Sequence, residues 1–159
     1  MQELPIENVA DYPRPPALEW SDRSVVVRFG GATIVEAPGA WRVLETHHPP
    51  TYYIEPKWFA AGTLRPVSGR RSLCEWKGRA SYFDIVSGEQ IAAAGAWTYR
   101  DPSARFAPIK DHVALYAEPM DEILVDSVRV VPQPGNFYGG WMTPNIQGPV
   151  KGAPGTLHW

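Results

Sequence analysis

Residues 25–37 read VVVRFGGATIVEA, and this segment carries the clearest structural signal of the chain. Two runs rich in β-branched residues flank the pair Gly30-Gly31, and Pro38-Gly39 follows the second run. β-Branched side chains favour strands, and paired glycines supply the positive φ angles of a tight hairpin turn. The segment therefore predicts a β-hairpin with strands over 25–29 and 33–37.

Similar short runs recur along the rest of the chain, separated by glycine and proline. Strands are expected over 51–55, 71–76, 79–86, 91–99, 113–117 and 123–131. Lys77-Gly78 would turn a second hairpin, between 71–76 and 79–86. The alanines of 91–99 suit either a helix or a strand, and Gly95, Trp97 and Tyr99 favour a strand.

The segment that starts at Ala40 has a different periodicity. Ala40, Val43, Leu44 and His47 are spaced i, i+3, i+4 and i+7, which is one face of a short helix. The pair Pro49-Pro50 would end that helix. A short helix or loop is expected over 57–64, and a helical turn over 108–112.

Residues 132–159 contain six glycines, five prolines and two tryptophans, and no acidic residue. Flexible linkers contain few aromatic residues, because nothing in them has to pack. We therefore interpret this tail as an ordered belt that packs on the domain and covers a pocket. The alternative is a flexible terminus.

The 159 residues suit one domain with a substantial core. Short strands with glycine and proline between them predict a mainly β domain, a compact barrel-like or folded antiparallel sheet with one or two short helices. We divide the chain into an N-terminal arm (1–22), a β domain (23–131) and the C-terminal belt (132–159).

The composition of the chain makes some classes of function and location less favourable than others. The net charge of −2 gives no general attraction to nucleic acid or to an acidic membrane. However, residues 65–79 carry five basic residues against one acid, which favours a compact anionic ligand. The single Cys74 excludes an intramolecular disulfide. Without a secretory signal pattern or a long apolar run, a cytoplasmic location and no membrane contact are expected.

Several phrases resemble a known family. They are ETHHPPTYYIEP (45–56), CEWKGRASYFDI (74–85), AAGAWTYRDP (93–102), APIKDHVALY (107–116) and the tail from PQPGNFYGGW onward. They resemble the domain of unknown function 427, and the likeness runs from about Arg23 onward. The resemblance implies a compact, mainly β fold, also described as Mss4-like, and leaves the activity open. Some proteins of that broader fold hold zinc between CxxC pairs. This chain has no such pair, so neither a metal nor another cofactor is implied.

His48 is the candidate general base, because imidazole titrates near neutrality and Glu45 lies three residues earlier to orient it. The alternative is a histidine that caps the end of the predicted helix. Lys77 is the second catalytic candidate, since an ammonium in a tight turn can bind a carboxylate or phosphate. The alternative there is a solvated lysine.

Aromatic residues on neighbouring strands would form the wall of a binding site, as in most small-molecule sites. The predicted ligand-binding residues are Tyr53, Trp76, Tyr82, Trp97 and Tyr99, with Arg42 or Arg71 as an anion clamp. The chain would then bind a small anionic molecule, either as a binding domain or as a metal-independent enzyme using His48 and Lys77. The main alternative is a protein- or peptide-binding module, with homodimerisation through the aromatic tail. A weaker one is nucleic-acid binding by residues 65–79.

Overall fold

The computed structural model of the chain describes residues 4–74, 77–133 and 139–151, with the backbone alone for residues 69–74. Its strands, in chain order, are β1 (Glu7–Asn8), β2 (Ala17–Ser21), β3 (Val25–Phe29), β4 (Ala32–Ala37), β5 (Ala40–Leu44), β6 (Thr51–Tyr53), β7 (Leu64–Cys74), β8 (Gly78–Ser87), β9 (Gln90–Tyr99), β10 (Val113–Leu115), β11 (Glu122–Val125), β12 (Val128–Arg129), β13 (Val131–Pro132), β14 (Trp141–Met142) and β15 (Ile146–Gln147). Short 3-10 helices span Val9–Asp11, Pro56–Trp58 and Ala104–Ile109.

The hairpin predicted over 25–37 is confirmed as β3 and β4. The two strands pair antiparallel, with Val25 opposite Ala37. Gly30 and Gly31 have φ angles of 60° and 77°, the left-handed values that the turn requires. Val25 and Val27 are fully buried and point to the core, so the alternation of the sequence matches the faces of the strand.

The short helix predicted from Ala40 is wrong, because this segment is strand β5. It lies between β2 and β6 and pairs antiparallel with both. A helix of about eight residues is marginal on its own, whereas a central strand satisfies its backbone groups on both sides. Pairing with distant segments has therefore overridden the local helical spacing.

The strand predicted over 123–131 is also not continuous. Asp126 and Ser127 have φ angles of 47° and 67° and turn the chain between β11 and β12. The carboxylate of Asp126 accepts hydrogen bonds from the Ser24 N–H (2.9 Å) and from Arg23 Nη1 (2.8 Å). β13 then pairs with β14 in the tail.

The strand predicted over 91–99 is confirmed as β9, in a four-stranded antiparallel sheet of order β10-β9-β8-β7. A second four-stranded sheet has the order β12-β11-β3-β4, and a three-stranded sheet the order β2-β5-β6. No sheet of the described residues closes into a barrel, so the fold is the predicted folded antiparallel sheet. Its description as Mss4-like stays a prediction.

Both ends of the described chain take part in the sheets. In the N-terminal arm, β2 pairs with β5, and β1 runs parallel to β15. In the tail, Trp141 is 1% exposed, stacks on Tyr52 with ring centroids 4.9 Å apart, and donates from Nε1 to the Leu115 carbonyl at 3.1 Å. Residues 139–151 therefore pack as part of the domain.

A second hydrophobic core, separate from the larger one around β3, β4 and β11, lies between β6, β8 and β9. Its buried members are Val43, Tyr53, Ala80, Trp97, Tyr99, Phe106, Ile109 and Ala114. The candidate site lies at this core. Within the described residues, no helix is long and apolar enough to cross a membrane.

Candidate functional site

Four predicted ligand-binding residues meet at the second core. Trp97 and Tyr99 come from β9 and Tyr53 from β6, while Tyr82 of β8 packs at the edge. The Trp97 indole donates from Nε1 to the Tyr53 hydroxyl at 3.3 Å. The Tyr53 and Tyr99 rings lie 6.2 Å apart between centroids. Antiparallel pairing of β8 with β9 places Tyr82 opposite Trp97. Strand alternation and pairing thus bring Tyr82, Trp97 and Tyr99 together, and β6 of another sheet adds Tyr53.

Lys77 lies against the same rings. Its Nζ is 5.9 Å from the centroid of the Tyr99 ring and 5.8 Å from that of Phe106, within the range of a cation–π contact. Although it precedes the turn at Gly78, Lys77 is only 9% exposed. The solvated-lysine alternative is therefore wrong. We call His48, Tyr53, Lys77, Trp97, Tyr99 and Phe106 the basic–aromatic cluster.

His48 lies in the loop between β5 and β6. His47 has a φ of 64°, and the His48 N–H donates to the Glu45 carbonyl at 3.0 Å, so the loop turns tightly just before Pro49 and Pro50. Because β5 is a strand, the alternative in which His48 caps a helix is wrong. The side chain instead has Gln133 beside it, with 3.2 Å between His48 Nδ1 and Gln133 Nε2.

The electrostatics place His48 among positive charges. Burial is the largest cause that lowers the pKa of His48, to about 4, and the charges of Lys151, Arg14 and Lys77 lower it further. Lys77 is thus close enough to His48 for its charge to disfavour protonation of the ring. An imidazole with this pKa is neutral at pH 7 and accepts a proton weakly there, since an efficient general base has a pKa near the working pH. The arrangement suits anion binding better than proton abstraction.

Gln133, which the sequence analysis did not single out, holds the tail to this loop. Its side chain is 3% exposed. Its Oε1 accepts from the Gly140 N–H at 3.2 Å, and its Nε2 donates to the Lys151 carbonyl at 2.8 Å. A glutamine between prolines gives no local signal of such a role, because its partners Gly140, Lys151 and His48 lie 7, 18 and 85 positions away in the chain.

Two glycines bring the tail backbone directly onto the cluster and its loop. A Cβ at Gly139 would overlap the ring of Trp97, and a Cβ at Gly140 would lie 2.6 Å from the Pro49 carbonyl oxygen. The Lys151 N–H donates to the His47 carbonyl at 2.7 Å. Gly139 therefore lies on Trp97, and Gly140 and Lys151 lie on the His48 loop, which gives a physical reason for glycine at positions 139 and 140.

Two predicted residues are engaged elsewhere. Arg42 is buried between carboxylates, with Nη2 3.1 Å from Glu7 Oε1 and Nε 2.9 Å from Glu19 Oε1. Since these acids neutralise it, we leave Arg42 out of the proposed site. The Glu45 carboxylate lies 3.9 Å from Arg14 Nε. The side chain that contacts His48 Nδ1 is that of Gln133, where we had expected Glu45 to orient the ring.

Two further predicted residues lie outside the described part of the chain: Trp76, and the side chain of Arg71. Phe137, Tyr138 and Trp159 of the tail also lie outside it. Across the described ranges, no three His, Cys, Asp or Glu side chains are grouped so that they could hold a metal ion.

Comparison with known proteins places the chain in a family. The comparison with curated proteins found no match. A family model described as a domain of unknown function (DUF427) matches residues 17–126, from the first residue of β2 to just past β11. The matched part includes the whole basic–aromatic cluster, and Gln133 and the tail follow it. The match covers more than half of the chain, and so the protein belongs to the DUF427 family.

Proposed function

We propose that this protein binds a small anionic molecule at the basic–aromatic cluster. The observation that carries the proposal is the position of Lys77, whose buried side chain places its ammonium beside the rings of Tyr99 and Phe106 and close enough to His48 to lower the pKa of that ring. An ammonium is a compact point charge, and such a charge beside an apolar wall can hold a carboxylate or a phosphate.

The charge around His48 supports an anionic ligand. Lys77 comes from the turn before β8, Lys151 from the tail and Arg14 from the N-terminal arm, and all three act on the His48 ring. An anion that binds among these three cations would be attracted by their charge. At neutral pH the ring itself adds no positive charge and contributes a polar group.

The rings support a ligand with a flat or apolar part. Tyr53, Trp97 and Tyr99 are each less than 10% exposed and belong to one packed cluster, and Lys77 lies over the Tyr99 ring. Most small-molecule sites combine such an apolar wall with a few polar groups. A compact organic phosphate or carboxylate fits this combination. In an enzymatic reaction, Lys77 would stabilise negative charge that develops on the substrate.

Thermal unfolding of the full chain with inorganic phosphate, pyrophosphate or succinate tests the proposal, with sodium chloride at equal ionic strength as the reference. A ligand at 100 times its Kd stabilises the native state by about 2.7 kcal/mol. A chain of this size gains about 2–4 °C in Tm per kcal/mol. We expect at least one of the anions to raise the Tm by several degrees.

The matched variants are Lys77→Met and Lys57→Met. Lys57 also lies over a ring, with Nζ 5.1 Å from the Trp58 centroid, but its side chain is 67% exposed. We expect Lys77→Met to abolish the anion-dependent rise in Tm and Lys57→Met to retain it. Equal rises in both variants, or none in the wild type with any of the anions, would contradict the proposal.

A further inference from the structure

The side-chain amide of Gln133 has a defined orientation. The Gly140 N–H faces one end of it at 3.2 Å, and the Lys151 carbonyl faces the other end at 2.8 Å. A backbone N–H only donates and a backbone carbonyl only accepts. The end near Gly140 is therefore the oxygen and the end near Lys151 is the nitrogen, so two independent backbone groups fix the assignment.

This orientation determines the hydrogen bond to His48. The Gln133 amide nitrogen, 3.2 Å from His48 Nδ1, has two hydrogens and no acceptor capacity. One hydrogen points to the Lys151 carbonyl and the other to the ring. His48 Nδ1 must therefore accept, and a neutral imidazole that accepts at Nδ1 holds its proton on Nε2.

We infer that Gln133 is a positioning residue that holds His48 as the Nε2-protonated tautomer, so that an anionic ligand that reaches Nε2 meets an N–H donor and not a basic nitrogen. The tautomer follows from the hydrogen bonds alone, whereas the donor role rests on the proposed function. The inference replaces the general-base role that the sequence suggested for His48.

The groups around the ring keep it neutral and so preserve this arrangement. They are His47 on the same loop, Arg14 with its partner Glu45, Lys77 from the turn before β8, and Lys151 from the tail. The basic members of this set disfavour a second proton on the ring. A protonated Nδ1 would also turn its N–H toward an amide nitrogen that cannot accept it.

Nitrogen-15 NMR of the uniformly labelled full chain at pH 7 tests the tautomer without any variant. We expect His48 Nδ1 to resonate as an unprotonated ring nitrogen and Nε2 as a protonated one. A protonated Nδ1 in this spectrum would overturn the inference.

Gln133→Met and Gln147→Met test the role of Gln133. Methionine has a similar length and forms no comparable hydrogen bond. Gln147 is an exposed residue of β15 and serves as the matched control. With Gln133→Met we expect the two His48 nitrogen shifts to move toward each other as the tautomers mix, and with Gln147→Met we expect no change. Unchanged shifts in a folded Gln133→Met protein would show that Gln133 does not determine the tautomer of His48.

Titration with inorganic phosphate separates this inference from the proposed function. A change in the Nε2 shift while Nε2 stays protonated supports the donor role. A phosphate-induced loss of the Nε2 proton contradicts it. If Nε2 is protonated and neither phosphate nor pyrophosphate nor succinate moves its shift, the tautomer assignment stands and the proposed function fails.

Discussion

Nε2 of Gln133 lies 3.2 Å from Nδ1 of His48, although 85 positions separate the two residues in the chain. This contact joins the tail to the loop between β5 and β6. Gln133 also holds the backbone of Gly140 and Lys151, so one buried amide connects three segments. The protonation of His48, the position of the tail and the cover over Trp97 are therefore coupled.

The first prediction concerns stability in mild acid. The pKa of His48 is about 4 in the native protein, below its ordinary value of 6.5, so the unfolded chain binds a proton between these pH values and the native protein does not. Stability therefore rises with pH in this range and is lost on acidification from 6.5 to 4, by about 3 kcal/mol at most. Urea unfolding at several pH values measures this loss.

His48→Gln is the variant for that measurement. It removes the titrating ring, so we expect its stability to fall less than that of the wild type between pH 6.5 and 4.5. The comparison is referenced to pH 8, where His48 is neutral in both states. Parallel curves for the two proteins would show that His48 is not the group that titrates.

The second prediction concerns the effect of the Lys77 charge on the pKa of His48. Lys77 lowers the pKa of His48, but burial is the larger cause. In Lys77→Met we therefore expect the pKa of His48 to rise by less than about one unit. NMR titration of the ring protons measures it, and Lys57→Met should leave it unchanged. An unaltered pKa in Lys77→Met would place the two residues too far apart for a common site.

The third prediction concerns the closest approach of the tail to the cluster. In Gly139→Ala the new methyl group would overlap the Trp97 ring, so either the ring or the tail has to move. Overpacking of this kind costs about 1–3 kcal/mol. Urea unfolding measures the cost, and the NMR signal of the Trp97 indole N–H reports the change around that ring. The exposed Gln147→Ala in the same segment should alter neither.

The fourth prediction compares two tryptophans. Trp141 is 1% exposed and Trp20 is 54% exposed. We expect Trp141→Ala to lower the free energy of unfolding by about 3–5 kcal/mol, because it opens a large cavity beside Tyr52 and leaves the Leu115 carbonyl without its donor. Trp20→Ala should cost much less. Equal, small losses would mean that the tail packs only weakly on the domain, as the interaction-module alternative requires.

The fifth prediction separates Arg42 from the site. Removing one partner of a buried ion pair leaves the other uncompensated and costs about 3–5 kcal/mol. Since Glu19 is half exposed, we expect Arg42→Met to fall at the lower end of this range. Its anion-dependent rise in Tm should equal that of the wild type. Loss of that rise would restore Arg42 as an anion clamp.

The fold was predictable where local chemistry and tertiary packing agree. Between two β-branched runs, the pair Gly30-Gly31 indicates a tight turn with positive φ angles, and the hairpin follows from that turn. Ala40–Leu44 was not predictable locally, because its helical spacing is real and only the pairing with β2 and β6 overrides it. Similarly, the break at Asp126 depends on bonds from Arg23 and Ser24, about a hundred residues earlier.

The candidate site was predictable to a similar degree. Strand alternation places Trp97 and Tyr99 on one face of β9, and antiparallel pairing sets Tyr82 of β8 opposite Trp97. Tyr53 comes from β6 of another sheet, so its contact with these rings depends on how the sheets pack and not on a local pattern. The partner of His48 could not be predicted. The spacing favours Glu45, a carboxylate three residues earlier. In the structure Glu45 lies beside Arg14, and the amide of Gln133, 85 positions away in the chain, contacts His48.

Gly139 and Gly140, which lie on Trp97 and Pro49, follow all strands of both four-stranded sheets in the chain. The ribosome adds these glycines after those strands, so Trp97 and Pro49 of a nascent chain lack this cover while the two sheets form. Such transiently exposed apolar surface promotes aggregation. Polypeptides released before Gly139 would keep that surface bare and would lack Trp141, and they are the products most prone to aggregate or to be degraded.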